Sequence, residues 1–328
     1  MIKMILKGSL LFLASSSMMA SAADLCTQGA VAQTLGPVSS LNIASLGERQ
    51  VAGGLSCPIL IKALSTEYLK YRADNIPSVL MYSDGVNSAA FSVRDGEYNN
   101  IVTGSEKILT NFDWIGILGS NQFDVVLFVT LNPNQYLKPG VYTANLNLRW
   151  FYRITYTGIP PFAIYNTSPG WSMSWGTVNW GTGNPATIPL RLEVTADCNI
   201  KANNIDFGKM PLVSKFDPVT GSVQVMCSAQ TPYTVGVSNG LNYSSMRRMK
   251  NTGSADYINY EIYKNTGGER WGSEGAQRWQ STAATTMPGI HDGKTSQTYS
   301  YTAKVEEAEN KAVPAGTYKD TLTIEVKF

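Results

Sequence analysis

Four cysteines stand in two pairs of nearly equal spacing, and this arrangement constrains the fold more than any other feature of the chain. Cys26 and Cys57 are 31 residues apart, and Cys198 and Cys227 are 29 apart. Four cysteines allow three pairings, and the matched spacings favour Cys26–Cys57 with Cys198–Cys227. The pairs recur about 170 residues apart, and a second match recurs with them. Pro139-Gly140-Val141-Tyr142 leads into an alternating run through Leu148, and Ala315-Gly316-Thr317-Tyr318 leads into one through Ile324. Two related domains are expected, at 23–197 and 198–328.

The first residues bear on how the cysteines read. Lys3 and Lys7 precede an apolar core at Leu10–Ala14, followed by Ala20-Ser21-Ala22. A positive start, a short apolar core and an A-x-A site predict a secretory signal peptide over 1–22. The core is well short of the roughly 20 residues that span a bilayer. An exported chain meets an oxidising compartment, where such cysteines form disulfides. Each would close a loop worth about 3–4 kcal/mol in the chain-entropy model. No CxxC motif is present, so neither a metal site nor a cofactor is expected.

Both halves read as β structure. Runs such as Cys57–Leu64, Asp124–Leu131, Tyr233–Ser238 and Tyr257–Tyr263 are separated by Gly, Asn, Pro and Asp clusters. Helical spacing is limited to a turn or two near Ser65–Arg72. The fold class expected is all-β, with two immunoglobulin-like β-sandwich domains.

The last run, Thr321–Phe328, alternates strictly. Leu322, Ile324, Val326 and Phe328 are apolar, and the residues between them are polar. One face is built for a core and the other for water. With the sequence ending at Phe328, no further strand follows to pair beside it, which leaves an acceptor edge. The first half differs. After its Gly-x-Tyr strand comes a second alternating run of Ile188, Leu190, Leu192 and Val194, directly before Cys198. The first domain is therefore expected to be complete and the C-terminal one to lack its last strand.

These features resemble pilus subunits of the chaperone–usher pathway, specifically the spore coat protein U–like domain of archaic (Csu-type) pili. The match lies in the second half: Cys198-Asn-Ile, Ile205-Asp-Phe-Gly208, Thr220–Cys227, Pro232-Tyr-Thr-Val, Arg248-Met249, Tyr260-Glu-Ile-Tyr263, Trp271-Gly272 and Pro314–Tyr318. The first half matches through cysteine spacing and the Pro-Gly-x-Tyr turn alone. A two-domain member looks like a tip adhesin. The resemblance implies a periplasmic pilus chaperone that lends the missing strand, an outer-membrane usher, and an adjacent subunit whose N-terminal strand replaces the loan. It also implies that the Phe328 carboxylate meets basic chaperone residues. Only Ala23, Asp24 and Leu25 separate the cleavage site from Cys26, so the subunit is expected to accept a strand and donate none. That places it at the distal end of a surface fibre, with Ile188–Val194 in the position of a donor extension turned inward.

The first half carries the candidate contact surface. Residues 154–190 contain no Asp, Glu, Lys or Arg, yet include Phe162, Tyr165, Trp171, Trp175 and Trp180. Asn111–Asn121 carries one charge and includes Phe112, Trp114, Ile115, Ile117 and Leu118. Both segments are read as apolar loops for gripping a hydrophobic abiotic or host surface, as the archaic tip adhesins do with finger-like loops. Residues 28–46 are also uncharged, but Val38 and Leu41 fit a core strand. A lectin is the rival reading, with Trp171, Trp175 and Trp180 as a stacking platform flanked by Asn166, Asn179 and Asn184. A self-assembling coat or fibre subunit is a third.

Composition argues against other classes. The formal charge of +2 over 328 residues gives no basic excess for nucleic acid. The one histidine, His291, lies in a Pro-Gly-Ile-His-Asp-Gly turn and reads as an exposed residue. Glu306, Glu307 and Glu309 read as a solvated turn. No catalytic motif is present, so the chain is not expected to be an enzyme. Met246-Arg247-Arg248-Met249 reads as structural.

Overall fold

Strands Leu55–Asn75 and Gly140–Gly158 pair antiparallel at the heart of a twelve-stranded sheet. The computed structural model describes residues 25–28, 32–123, 125–308 and 311–328, with backbone alone over 112–115, 117–118 and 120–122. The expected signal peptide lies outside the described residues. Among those described there is no α-helix. Burial alternates residue by residue from Ser65 to Ala73. That is the period of a strand, so the expected helical turn at Ser65–Arg72 is corrected. The reading of 111–121 as a loop is corrected too. Asn111–Phe123 is a strand, in register with Leu55–Glu67.

Strand Asn184–Thr195 fills the position expected of it. It pairs antiparallel with Gly140–Trp150 through eleven partners and parallel with Gln33–Ser39. Its apolar face is fully covered: Ile188, Leu190, Leu192 and Val194 are each at most 3% exposed. They join the core built on Leu35, Leu55, Leu69, Tyr71, Leu146 and Trp150. The Cys26–Cys57 disulfide ties the start of this half to the same core.

Residues from Cys198 onward form their own sheets. One has six strands, including Cys198–Ala202, Val219–Cys227, Gln297–Val305 and Tyr257–Lys264 in neighbouring order. The other has three, with Thr234–Val237 between Trp279–Gln280 and Ile324–Lys327. Cys198 and Cys227 pair in register and as a disulfide. Trp271, Trp279, Tyr299 and Tyr301 make the core, with rings at 5.2–6.3 Å. Arg247 crosses it, wholly buried. It donates to the carbonyls of Val237 and Trp271 at 2.8 Å and of Ser238 at 2.9 Å, and pairs with Glu261. A buried guanidinium is tolerated because its donors are satisfied. This is the structural role expected of the Met246–Met249 run.

The sequence repeat is also a repeat of bonding. The Tyr142 hydroxyl donates to the Lys138 carbonyl, and the Tyr318 hydroxyl to the Pro314 carbonyl, both at 2.8 Å and four residues upstream. Such a corner fixes the chain as it enters a sandwich strand.

Two readings of polar residues change. His291 is buried at 3% exposure, with Nδ1 accepting from the Gly293 N–H, because its ring packs on Tyr233. Glu306 and Glu307 are half-buried acceptors, from the Tyr263 hydroxyl and the Asn259 N–H respectively.

The halves meet around Asp197. Its carboxylate accepts from Ser39 Oγ at 2.6 Å and the Cys198 N–H at 2.8 Å. The Ser40 and Ser228 hydroxyls share a buried hydrogen bond of 2.6 Å, and Gln230 donates to Asn87 at 2.7 Å.

Candidate functional site

Two regions of this fold present unfinished apolar surface. The first is a cleft of about 670 Å³ in the second half. Its floor is Tyr260, Ile262, Trp271 and Tyr301, and its rims are 202–207 and 318–322 with Ile324. Strand Ile324–Lys327 pairs with Thr234–Val237 on one side, and no described strand pairs on the other. Cys198–Ala202 is likewise an edge. The alternating side chains face the core as the sequence implies, but Leu322, Ile324 and Val326 are half-covered and Phe328 is 56% exposed. Their counterparts in the first half are sealed by Asn184–Thr195 and its neighbours. Arg278 fixes the register of this edge, donating to the carbonyls of Thr234 and Glu325 and to the Glu325 carboxylate at 3.0–3.1 Å.

The second region lies where strand Gly140–Gly158 ends. Gly140 pairs with Val194, beside the junction, whereas Gly158 opens a loop to Ala163. At about 3.3 Å per residue the strand between them runs for about 60 Å. The loop presents Phe162 at 89% exposure. One register row joins it to its neighbours, because Thr157 pairs with both Ile164 and Ile61, and Ile61 pairs with Ile117. The two apolar segments singled out in the sequence are thereby brought to one end of the sheet. Phe112, Trp114, Ile115, Ile117 and Leu118 take part as strand backbone; their side chains lie outside the described residues.

Trp175 sits on a separate hairpin, Ser172–Ser174 with Thr177–Asn179. Trp175 and Gly176 have φ of 49° and 80°, the left-handed pair of a two-residue hairpin turn. The indole is fully exposed. Trp171 and Trp180 do something different, seating this hairpin on the sheet. The Arg153 guanidinium lies 3.4 Å from the Tyr165 ring centroid and 5.2 Å from that of Trp171, and Lys70 Nζ lies 5.3 Å from that of Trp180. Such cation–aromatic contacts contribute about 0.5–1 kcal/mol each. The three asparagines are taken up by the fold itself. Asn166 is buried, Asn179 caps its own turn by accepting from the Gly181 N–H, and Asn184 donates to the Tyr152 hydroxyl.

Residues 184–325 match the family described as Spore Coat Protein U domain. A relative of that kind, Protein U of Myxococcus xanthus, is 26% identical over 160 residues, 47% of this chain and 72% of the relative. Among solved structures, the CsuC–CsuE chaperone–tip adhesion subunit pre-assembly complex, from archaic chaperone-usher Csu pili of Acinetobacter baumannii, matches at 28% identity. The TM-score is 0.61, over 92% of this chain and 100% of the matched chain. This likeness extends beyond residues 184–325 to the first half and supports an adhesin role.

The family match starts at Asn184, so the strand that completes the first sandwich belongs to the matched segment. Sequence reasoning missed part of the apolar end. Leu60, Ile61 and Leu64 are 44%, 56% and 52% exposed, whereas Ile159 and Ile164, at 54% and 51%, lie inside the charge-free segment already singled out. Leu60–Leu64 lies in a run that reads as core strand, so nothing local marked it as surface.

Proposed function

We propose that this chain is the tip adhesin of a chaperone–usher pilus, exported through the periplasm to the cell surface. The signal peptide covers 1–22, the adhesive domain 23–197 and the pilin domain 198–328. The pilin domain accepts a strand along Leu322, Ile324, Val326 and Phe328. A periplasmic chaperone supplies it first, and the N-terminal strand of the adjacent subunit follows at the usher. The observation that carries this reading is the contrast between two equivalent grooves, one sealed by Asn184–Thr195 and the other open over Tyr260, Ile262 and Trp271. The segment ahead of Cys198 is already used inside the first sandwich, which suits a terminal subunit.

The adhesive end consists of Phe162 with Tyr165, the hairpin of Trp171, Trp175 and Trp180, and the strand bearing Phe112, Trp114, Ile115, Ile117 and Leu118. It holds water-repellent abiotic or host surfaces and so supports biofilm formation. Full burial of one such ring contributes a few kcal/mol at about 25 cal/mol per Å², and many pili add avidity. The burial of Asn166 and the engagement of Asn179 and Asn184 in the fold's own hydrogen bonds favour this over the lectin reading.

The test has two arms. Purified full-length chain titrated with peptides matching candidate donor strands should gain thermal stability in its C-terminal half; no gain with any such peptide overturns strand acceptance. Adsorption to polystyrene should exceed adsorption to clean glass and resist soluble sugars. Release by a sugar would favour the lectin.

A further inference from the structure

Along Leu55–Asn75 the inside–outside rule of a sandwich strand is reversed over one stretch. Lys62, Ser65 and Glu67 are at most 1% exposed, whereas Leu60, Ile61 and Leu64 are about half exposed. Charge inside and aliphatic carbon outside both oppose the ordinary transfer preferences. The backbone accommodates the reversal. Between the pairs Tyr68↔Arg153 and Ile61↔Thr157, seven steps on one strand oppose four on the other. Leu64 adopts φ +48° within this excess. Extra residues on one strand make a bulge, and bulges re-aim side chains.

The buried groups are mutually satisfied. Lys62 Nζ donates to Glu67 Oε1 at 2.8 Å and Ser65 Oγ to the same oxygen at 2.9 Å. The backbone N–H of Thr155, on the neighbouring strand, donates to Glu67 Oε2 at 2.7 Å. The Lys62 stem lies across Gly116, its register partner, where a Cβ would come within 2.9 Å of Lys62 Cε. The carboxylate therefore clips the bulge to strand Gly140–Gly158 just before the Phe162 loop.

We propose that the Lys62–Ser65–Glu67 cluster is a positioning device, which holds the strand in the frame that turns Leu60, Ile61 and Leu64 outward beside Phe162. Its purpose rests on the surface-attachment reading above, and its geometry is tested apart from it. Side chains in a regular strand alternate, so without the bulge Ile61 would turn inward with Ile59 and Ser65, and Lys62 outward with Leu60 and Leu64. The clip opposes that change, because turning Lys62 outward would leave the Glu67 carboxylate buried without its counter-charge. Apolar residues at 62 and 67 would remove the opposition.

The experiment is thiol labelling of the full chain, in which no described cysteine is free to compete. Cysteine replacing Ile61 or Leu64 should label rapidly, and cysteine replacing Lys62 should label at least tenfold more slowly. Equal rates at 61 and 62 overturn the proposal. In a Lys62→Met/Glu67→Leu background, which removes both charges together and strands neither, labelling at 61 should slow at least tenfold in folded protein. An unchanged rate overturns the proposal. Should that variant fail to fold, amide exchange in the unaltered protein decides. The Thr155 N–H should exchange as slowly as the core strands, and exchange at the rate of an open loop overturns the clip. Adsorption to polystyrene is read in parallel. Labelling as expected with no adsorption by the unaltered chain removes the attachment reading and keeps the device.

Discussion

At the scale of single residues, Trp175 shows how the chain gives up stability for exposure. A left-handed φ costs an L-residue with a Cβ about 1–2 kcal/mol, and asparagine tolerates it best. Trp175→Asn should therefore raise stability by about 0.5–1 kcal/mol in chemical denaturation while lowering adsorption to polystyrene. A variant that loses stability would show that the indole packs in the native state. The sequence made Trp171, Trp175 and Trp180 look alike, because a string of aromatic letters does not say which ring finds a cation. Arg153 lies on strand Gly140–Gly158 and Lys70 far upstream in the chain, and only the strand register places them under Trp171 and Trp180. The reversed stretch at Leu60–Glu67 was unreadable for a related reason. Lys62 and Glu67 pass for surface charges until Thr155 is known to lie beside them.

At the scale of elements, the two Gly-x-Tyr strands set an expectation for the missing partner. Asn184–Thr195 runs antiparallel to Gly140–Trp150 and parallel to Gln33–Ser39. On the strand-acceptance reading, the repeat then requires a donated strand to run antiparallel to Ile324–Lys327 and, at the 172-residue offset of the leading cysteines, parallel to residues 205–211. Cross-links between a bound donor peptide and single cysteines along Leu322–Phe328 should form a descending ladder as the peptide position rises. An ascending ladder would place the strand the other way round. On the same edge, Ile324→Asp or Val326→Asp puts an unpaired carboxylate in an apolar cleft at a cost of a few kcal/mol. Recovery of the chain with its chaperone should be abolished, and normal periplasmic yield would remove these residues from the acceptor edge. This part of the fold was legible in advance, since alternation, cysteine spacing and the Gly-x-Tyr turn are local patterns. Strand Asn111–Phe123 was not. Its glycines and polar ends look like loop until Leu55–Glu67 supplies the ladder.

At the scale of the whole molecule, the joint between halves is sensitive to acid. Asp84 is held at about 2, chiefly by the backbone N–H of Asn87, then by the Asn87 side chain and the Val86 N–H. Asn87 in turn accepts from Gln230 across the joint. A carboxyl lowered on folding stabilises the native state fully above its unfolded value near 4, and the contribution fades as pH falls through 2. Asp95, where burial raises the value but hydrogen bonds from Asn99, Lys107 and Glu97 outweigh it, acts in the same direction. Melting temperatures should therefore be level between pH 7 and 5 and decline from pH 4 to 2. A level profile down to pH 2 would contradict the assignment. One further consequence follows from the strand that seals the first sandwich. It passes through Ala196 and Asp197 straight into the second half, so tension from the second half enters along its own axis. Its eleven pairings with Gly140–Trp150 lie across that direction and are loaded in shear, so they must yield together rather than unzip one by one. On the tip-adhesin reading proposed above, the anchor between the two halves is thus shaped like a lap joint, strongest along the line on which a tethered cell would pull.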